Sequence, residues 1–210
     1  VSNIITDVTK NAMLDSAVAG APGTALFLGL HTALGAAGAE VAGGSPAYAR
    51  KAITWNAAAA GVKDIAAAVT FDVPAGTTVR AVQLWSASAA GTSRIWLPAG
   101  SNARRAFSVI AGDLAGNTIQ SPGHGLSAGQ SVVFWPTIGA GLPTGLAEDT
   151  EYFVIATGLT TDVFEVSATL GGSAVDITAI GDGDVQKFTP EVFAGQGTYQ
   201  VTTFPVSLPG

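Results

Sequence analysis

The chain contains no long apolar run. Its longest smooth stretches, such as Thr24–Leu30 and Ile65–Val69, have the length of a β-strand and are cut off by small or polar residues. A membrane-spanning helix needs roughly 18 uninterrupted apolar residues, so no membrane insertion is expected. What this punctuation permits is many short strands joined by turns. With 27 glycines and 10 prolines spread along the chain, the pattern predicts a mainly β fold, an antiparallel β-sandwich of jelly-roll type.

The expected strands of the first part are Ala25–Leu30, Ala49–Trp55, Ala67–Asp72, Val79–Ser86 and Ser93–Leu97, with Leu34–Pro46 as a long ordered loop. An N-terminal helix precedes them. Ser2 or Asn3 can cap it, Ile5, Val8 and Ala12 form an apolar stripe extended by Met13 and Ala17, and Gly20, Pro22 and Gly23 stop it. The composition changes between 114 and 187, where strands are expected at Thr118–Gln120, Ser131–Trp135, Glu151–Ala156, Val163–Ser167 and Ala174–Thr178. Turns are expected at Pro122-Gly123, Gly171-Gly172 and Gly181-Asp182-Gly183-Asp184. From Pro190 onward the composition is again that of the first part. We therefore expect a discontinuous domain of residues 1–113 plus 188–210, holding the helix and the sandwich, with a second small all-β domain, residues 114–187, inserted near its C-terminal end. Loop tips are where insertions are best tolerated.

Composition limits the function. The chain is 48% hydrophobic and only 11% charged, more apolar than a core of this size can absorb, which predicts surfaces made for protein contact. A net charge of −6 with 9 basic residues argues against wrapping nucleic acid, which needs clustered Lys and Arg. The nearest thing to a basic patch is Arg94, Arg104 and Arg105, and paired arginines suit a subunit interface. There is no cysteine, so disulfides, thiolate metal sites and cysteine nucleophiles are excluded. Val1–Gly20 carries Asp7, Lys10 and Asp15 where a signal peptide would be apolar. An initial Val fits a chain made in a cytoplasm and relieved of its initiator Met.

The chemical motifs are incomplete. Gly125-Leu126-Ser127-Ala128-Gly129 matches the nucleophile-elbow pattern, yet a Pro-Gly turn precedes it and a strand pattern follows, the wrong context for that motif. His31 and His124 are the 2 histidines, too few for a multi-histidine metal site within one subunit; each is expected to be structural. Asp182 and Asp184, with Asp176 nearby, lack the spacing and terminal Glu of a calcium loop. Glu148, Asp149 and Glu151 read as a solvated acidic cluster. The expectation is no catalytic residue, no cofactor and no metal.

One series of motifs carries a resemblance: Leu28-Gly29-Leu30-His31-Thr32, Gly43-Gly44-Ser45-Pro46-Ala47-Tyr48-Ala49-Arg50, Phe71-Asp72-Val73-Pro74-Ala75-Gly76-Thr77-Thr78-Val79, and Leu84-Trp85-Ser86-Ala87, closed by Phe193-Ala194-Gly195-Gln196-Gly197-Thr198-Tyr199. In this order it resembles a family of small virion structural proteins of tailed phages infecting actinobacteria, labelled tail fibre or minor tail proteins. The stretch with His124-Gly125-Leu126-Ser127, Leu142-Pro143-Thr144-Gly145-Leu146, Glu151-Tyr152-Phe153-Val154 and Phe164-Glu165-Val166-Ser167 is similar to a β module found in phage virion proteins. The resemblance implies a non-enzymatic component of a double-stranded DNA phage virion, tail-fibre-like or minor tail, made in the bacterial cytoplasm. Capsid decoration is the alternative, and receptor or glycan binding by the inserted module is a third role. The implied partners are other virion proteins and further copies of the chain, a trimer among the oligomers expected. Interface anchors are expected at Tyr48, Arg50, Trp55, Trp85, Trp96, Arg104 and Arg105, and a receptor platform at Trp135 and Tyr152.

Overall fold

The computed structural model describes residues 7–17, 25–36, 38–100, 103–137 and 140–207. Ser2, Asn3, Gly20, Pro22 and Gly23, from which the helix ends were read, and Ile5 of the apolar stripe lie outside these residues. The protein is mainly β and antiparallel, as expected, with a single α-helix among the described residues, α1 (Asp7–Ala17). The strands that follow are β1 (Leu26–His31), β2 (Lys51–Ile53), β3 (Val62–Lys63), β4 (Val69–Val73), β5 (Thr77–Val79), β6 (Ala81–Trp85), β7 (Ser93–Pro98), β8 (Arg105–Val109) and β9 (Ile119–Gln120). Then come β10 (Ser131–Pro136), β11 (Tyr152–Val154), β12 (Val163–Phe164), β13 (Val166–Ser167), β14 (Gly181–Phe188), β15 (Glu191–Phe193), β16 (Gly197–Val201) and β17 (Val206–Ser207). No described helix is long and apolar enough to cross a membrane.

The chain divides into two compact units, residues 1–97 with 192–210, and residues 98–191. The second begins upstream of Leu114, where the composition changes, because β8 pairs with β14 and β9.

In the first unit a four-stranded sheet runs β2-β1-β6-β7, and three two-stranded ladders pair β15 with β5, β16 with β4 and β17 with β3. Leu28, Leu30, Phe71, Val73, Val79, Leu84 and Phe204 are nearly or fully buried and form its interior. The helix turns a different face inward from the stripe expected. Val8 is 79% exposed and Met13 45%, whereas Leu14 is 1% exposed; Ala12 is exposed as well. Polar anchors set this register. The Asn11 side chain accepts the Gly61 amide at 2.8 Å, and Asp15 accepts the Ala58 amide at 3.0 Å and pairs with Lys63. Asn11 and Asp15 stand one turn apart with Leu14 beside them, so they share one helix face.

The second unit is one seven-membered sheet in the order β12-β9-β8-β14-β10-β11-β13. Its two edges, β12 and β13, are separated in the chain by Glu165 alone. Val163 and Phe164 pair with Gln120 and Ile119, and Val166 and Ser167 pair with Val154 and Phe153. One kinked segment therefore joins both edges and nearly closes the sheet into a barrel-like ring. Phe107, Ile119, Val132, Phe134, Tyr152, Val154, Phe164, Val166, Ile177 and Val185 fill it.

Two local expectations fail here. Gly181-Asp182-Gly183-Asp184, read as a turn, is the first half of β14, which is paired on one side with β8 and on the other with β10. Gly183 is needed in that strand: it stands opposite Phe107, and a Cβ there would sit 2.9 Å from the Phe107 ring and collide with the Trp135 carbonyl. Ala174–Thr178, read as a strand, joins no sheet. Scattered bonds hold it instead, Val175 N–H to Val166 O at 2.8 Å and Thr178 N–H to Thr144 O at 3.1 Å.

Candidate functional site

The motif residues of the first unit, distant in sequence, converge on one polar cluster. Arg50 forks onto Glu40, Nε to Oε1 at 2.8 Å and Nη2 to Oε2 at 2.7 Å. Its Nη1 donates to the Ala87 carbonyl at 3.0 Å and the Ala90 carbonyl at 2.5 Å, and its guanidinium lies 3.7 Å from the centre of the Trp85 ring. The Tyr48 hydroxyl accepts the Leu30 amide at 2.7 Å and donates to Glu40 Oε1 at 3.1 Å. Gly29 leaves room for all of this, since a Cβ would come within 3.0 Å of Glu40 Oε1, 3.1 Å of the Tyr48 hydroxyl and 3.2 Å of Trp85 Nε1.

His31, 1% exposed, completes the cluster. Its Nδ1 lies 2.7 Å from the Gly38 carbonyl, which can only accept, so Nδ1 carries the proton and the bare Nε2 accepts from Trp85 Nε1 at 3.3 Å. Burial depresses the His31 pKa, against the Gly38 bond and the nearby Glu40 charge. Burial alone would raise the Glu40 carboxyl, but the hydrogen bonds and charge of Arg50, with the Tyr48 bond, hold it below its ordinary value. Burial pushes the Tyr48 phenol up. Beside these, Gln83 donates to the Gly35 carbonyl at 2.6 Å and accepts from Ser93 at 2.9 Å. The cluster thus fastens the loop after β1, including Gly35, Gly38 and Glu40, to the sheet. Its donors and acceptors are used internally, and its chemistry is that of a structural network.

Of the expected interface anchors, Arg50 is enclosed, its side chain 6% exposed, and Tyr48 and Trp85 belong to the same network. Trp55 packs edge-on against Phe204, with ring centres 6.4 Å apart, and its Nε1 is buried without a hydrogen-bond partner. Trp96, on β7, is half-buried. The two adjacent arginines do not act as a pair. Strand alternation sends them to opposite faces: Arg104 lies 3.9 Å over the Trp135 ring, and Arg105, opposite Val185 on β14, faces the barrel mouth. Burial lowers the Arg104 pKa, opposed by the Asp184 charge. Trp135 donates to Gln186 at 3.2 Å and stays half-buried. Tyr152 is 5% exposed and belongs to the barrel core, so it offers no platform; its hydroxyl accepts the Ala147 amide at 3.0 Å.

The second unit also carries an open depression of about 410 Å³ lined by Ala103, Arg105, His124, Gly125, Leu126, Val185 and Lys187. His124 is packed edge-on against Phe164, ring centres 5.1 Å apart. Its Nδ1 accepts the Leu126 amide at 2.9 Å, so this histidine caps its own turn. That bond leaves Nδ1 without the proton that a catalytic histidine donates to its orienting carboxylate, and no hydrogen bond joins His124 to Ser127, whose amide donates to Gln130 at 3.0 Å. Glu151 accepts the Ser131 hydroxyl at 2.7 Å, and Asp182 accepts from Thr137 at 2.6 Å. Among the described residues, no group of three or more His, Asp or Glu could hold a metal ion.

Sequence reasoning missed Glu40, Gln83 and Lys187. The first two sit in or opposite a loop whose partners are far away in sequence. Lys187 was concealed by the reading of β14 as a turn; the alternation Val185, Lys187 within a strand is the signal that could have found it.

No curated protein and no solved structure matches the chain. A family model does match it, that of "Podophage GP4 fiber I protein gp80", over residues 4–116. The matched stretch holds β1 through β8 and every residue of the Arg50 cluster. It covers more than half of the 210 residues, and on that match the chain belongs to the family of the podophage GP4 fiber I protein gp80.

Proposed function

We propose that the protein is a fibre-type structural subunit of a tailed-phage virion, working through protein–protein contacts and catalysing no reaction. The family match over residues 4–116 carries this reading. The Arg50 network supports it, because such a network spends its polar groups on rigidity instead of leaving them open to a substrate. Capsid decoration, the alternative expected from the sequence, is not favoured by a fibre family.

The finer reading is a minor tail or tail-fibre-like location, with the chain assembled as a homo-oligomer such as a trimer. Residues 98–191 act as a separate β module inserted into the first domain. Exposed apolar side chains support the contact surface: Val8 at 79% and Met13 at 45% on α1, and Val62 at 39% on β3, the strand α1 packs against. Apolar groups left in water on one element and its neighbour are what subunit contacts cover.

Quantitative mass spectrometry of purified virions tests the location. A handful of copies per particle, released with isolated tails, is the expected result; a copy number near that of the major capsid protein overturns it. Light scattering on the purified chain tests assembly, with a trimer expected and a monomer at all concentrations against it.

A further inference from the structure

Strands β8 and β14 carry two unlike patches, one at each end of their ladder. At one end Arg105 stands opposite Val185, and Lys187 follows two residues later on the same face of β14, so both line the open depression. The ion pairs among the described residues are Arg50–Glu40 and Lys63–Asp15, which leaves these two cations without a carboxylate. At the other end Ile110 and Ile180 directly follow the last pair, Val109 with Gly181, and they are 52% and 63% exposed. Asp182, also exposed, shares the face of Ile180. Exposed Asp176 lies on this side too, since the next amide, that of Ile177, donates to Asn117 at 2.8 Å, just past the Ile110–Asp113 turn. The basic residues between 98 and 191 are Arg104, Arg105 and Lys187, all at the first end. No cation of this unit therefore neutralises the carboxylates beside the isoleucines.

Ile110 lies five residues beyond Arg105, roughly 17 Å at about 3.4 Å per residue, so the two patches meet only between molecules. We propose that they do so between copies of this chain, the Arg105 and Lys187 end of one second unit seating on the Ile110, Ile180 and Asp182 patch of the next. Arginine and lysine suit that patch on both counts: their methylene stems cover apolar surface, and their heads reach the carboxylates at its rim. Because the two surfaces differ, the contact is heterologous, and its repetition closes a ring or extends a stack of copies. The proposal rests on the homo-oligomer reading above and names the surfaces that would carry it.

Analytical ultracentrifugation of the full chain and of two charge-reversed variants tests the contact. Arg105→Glu with Lys187→Glu reverses the first patch, and Asp182→Lys reverses the second. Each variant alone should associate about tenfold more weakly than the parent, because like charges then face each other. In equal mixture the two should recover association, since the reversed patches meet each other and so do the unaltered ones. A misfolded variant would not be rescued in this way. Ile110→Ser with Ile180→Ser should weaken association to a similar degree, whereas Val192→Ser, an exposed apolar site of the first unit, should not. The proposal is overturned if the charge-reversed variants associate like the parent, if mixing restores nothing, or if Val192→Ser weakens association as much as the isoleucine changes. An oligomeric parent with unaffected variants refutes this contact and leaves the homo-oligomer reading standing. A parent that is monomeric at every concentration refutes both, and the copy number on virions bears on neither.

Discussion

The strands of residues 1–97 with 192–210 are divided between a four-stranded sheet and three two-stranded ladders, whereas residues 98–191 set all their strands into one ring. The materials differ as well. Both units bury polar residues, His31, Gln83 and Lys63 in the first and Ser121, His124, Glu165, Ser167 and Gln186 among those of the second, but the first ties its long loop down with the fork of Arg50 on Glu40. The second fills its ring with aromatics: Phe134 lies 5.2 Å from Phe107, 5.6 Å from Tyr152 and 6.5 Å from Phe164, centre to centre. A nearly closed sheet is held by its filling. A fragmented sheet needs directional bonds to set where each piece lies.

The largest effect should come from emptying the ring. Phe134→Ala removes a fully buried ring and should cost about 3–5 kcal/mol. Hydrogen exchange should show β8 to β14 losing protection while β1 and β6 keep theirs. Simultaneous loss in both regions would erase the distinction between the units.

Breaking the network comes next. Glu40→Gln leaves the Arg50 charge enclosed and unpaired; with the Glu40 side chain 27% exposed, the cost should be at the lower end for such pairs, about 3 kcal/mol. Chemical denaturation followed by tryptophan fluorescence should register it, and an unchanged midpoint would mean that the loop is held by its backbone bonds alone.

Acid should sharpen the contrast with a smaller effect. Folded His31 holds its proton less tightly than the ordinary value of 6.5, so unfolding takes a proton up. Its contribution to the first unit is complete above that pH and fades as pH falls through 6.5 toward the folded value. Glu40, held below 4.5, adds a further loss beneath that pH. In the second unit burial raises the Glu165 carboxyl above 4.5, so its contribution is present at low pH and lost as pH rises through the folded value. Asp113 works against this only lower down. Burial would raise its carboxyl, but bonds from the Ile110 amide, Gln120 and Thr118 keep it below 3.8. The first unit should therefore unfold first between pH 6.5 and 4.5, measured by pH-dependent hydrogen exchange; loss of the ring before it would contradict this.

The smallest effect belongs to the exposed face of α1. Met13→Gln should change folding stability by no more than about 0.5 kcal/mol, as surface substitutions do, while Leu14→Ala, at 1% exposure, should cost about 2–4 kcal/mol. Thermal melts of both would show whether the register drawn from Asn11 and Asp15 is correct.

The mainly β character, the N-terminal helix and most strands were legible because strand-length apolar runs end at turn residues whatever happens elsewhere in the chain. Ser131–Trp135 and Ser93–Leu97 were recovered within a residue or so as β10 and β7. Local composition misled where pairing overrides propensity. Gly181–Asp184 has the residues of a turn and becomes a strand because β8 and β10 flank it, and Val163–Ser167 reads as one strand but divides at Glu165 to serve two partners. The helix face was misread for the same reason, since apolar spacing cannot register that Asn11 and Asp15 have amides to meet on the other side.

The sequence by itself determined a protein of short antiparallel strands, without disulfides, and the motifs by which it joins a fibre family. Only the tertiary structure decided that Arg50 and Trp85 face inward toward Glu40 and His31, that Arg104 and Arg105 part to opposite faces, and that the second sheet nearly closes. Those outcomes depend on contacts between residues far apart in the chain, and nothing in the local periodicity of either partner records the other.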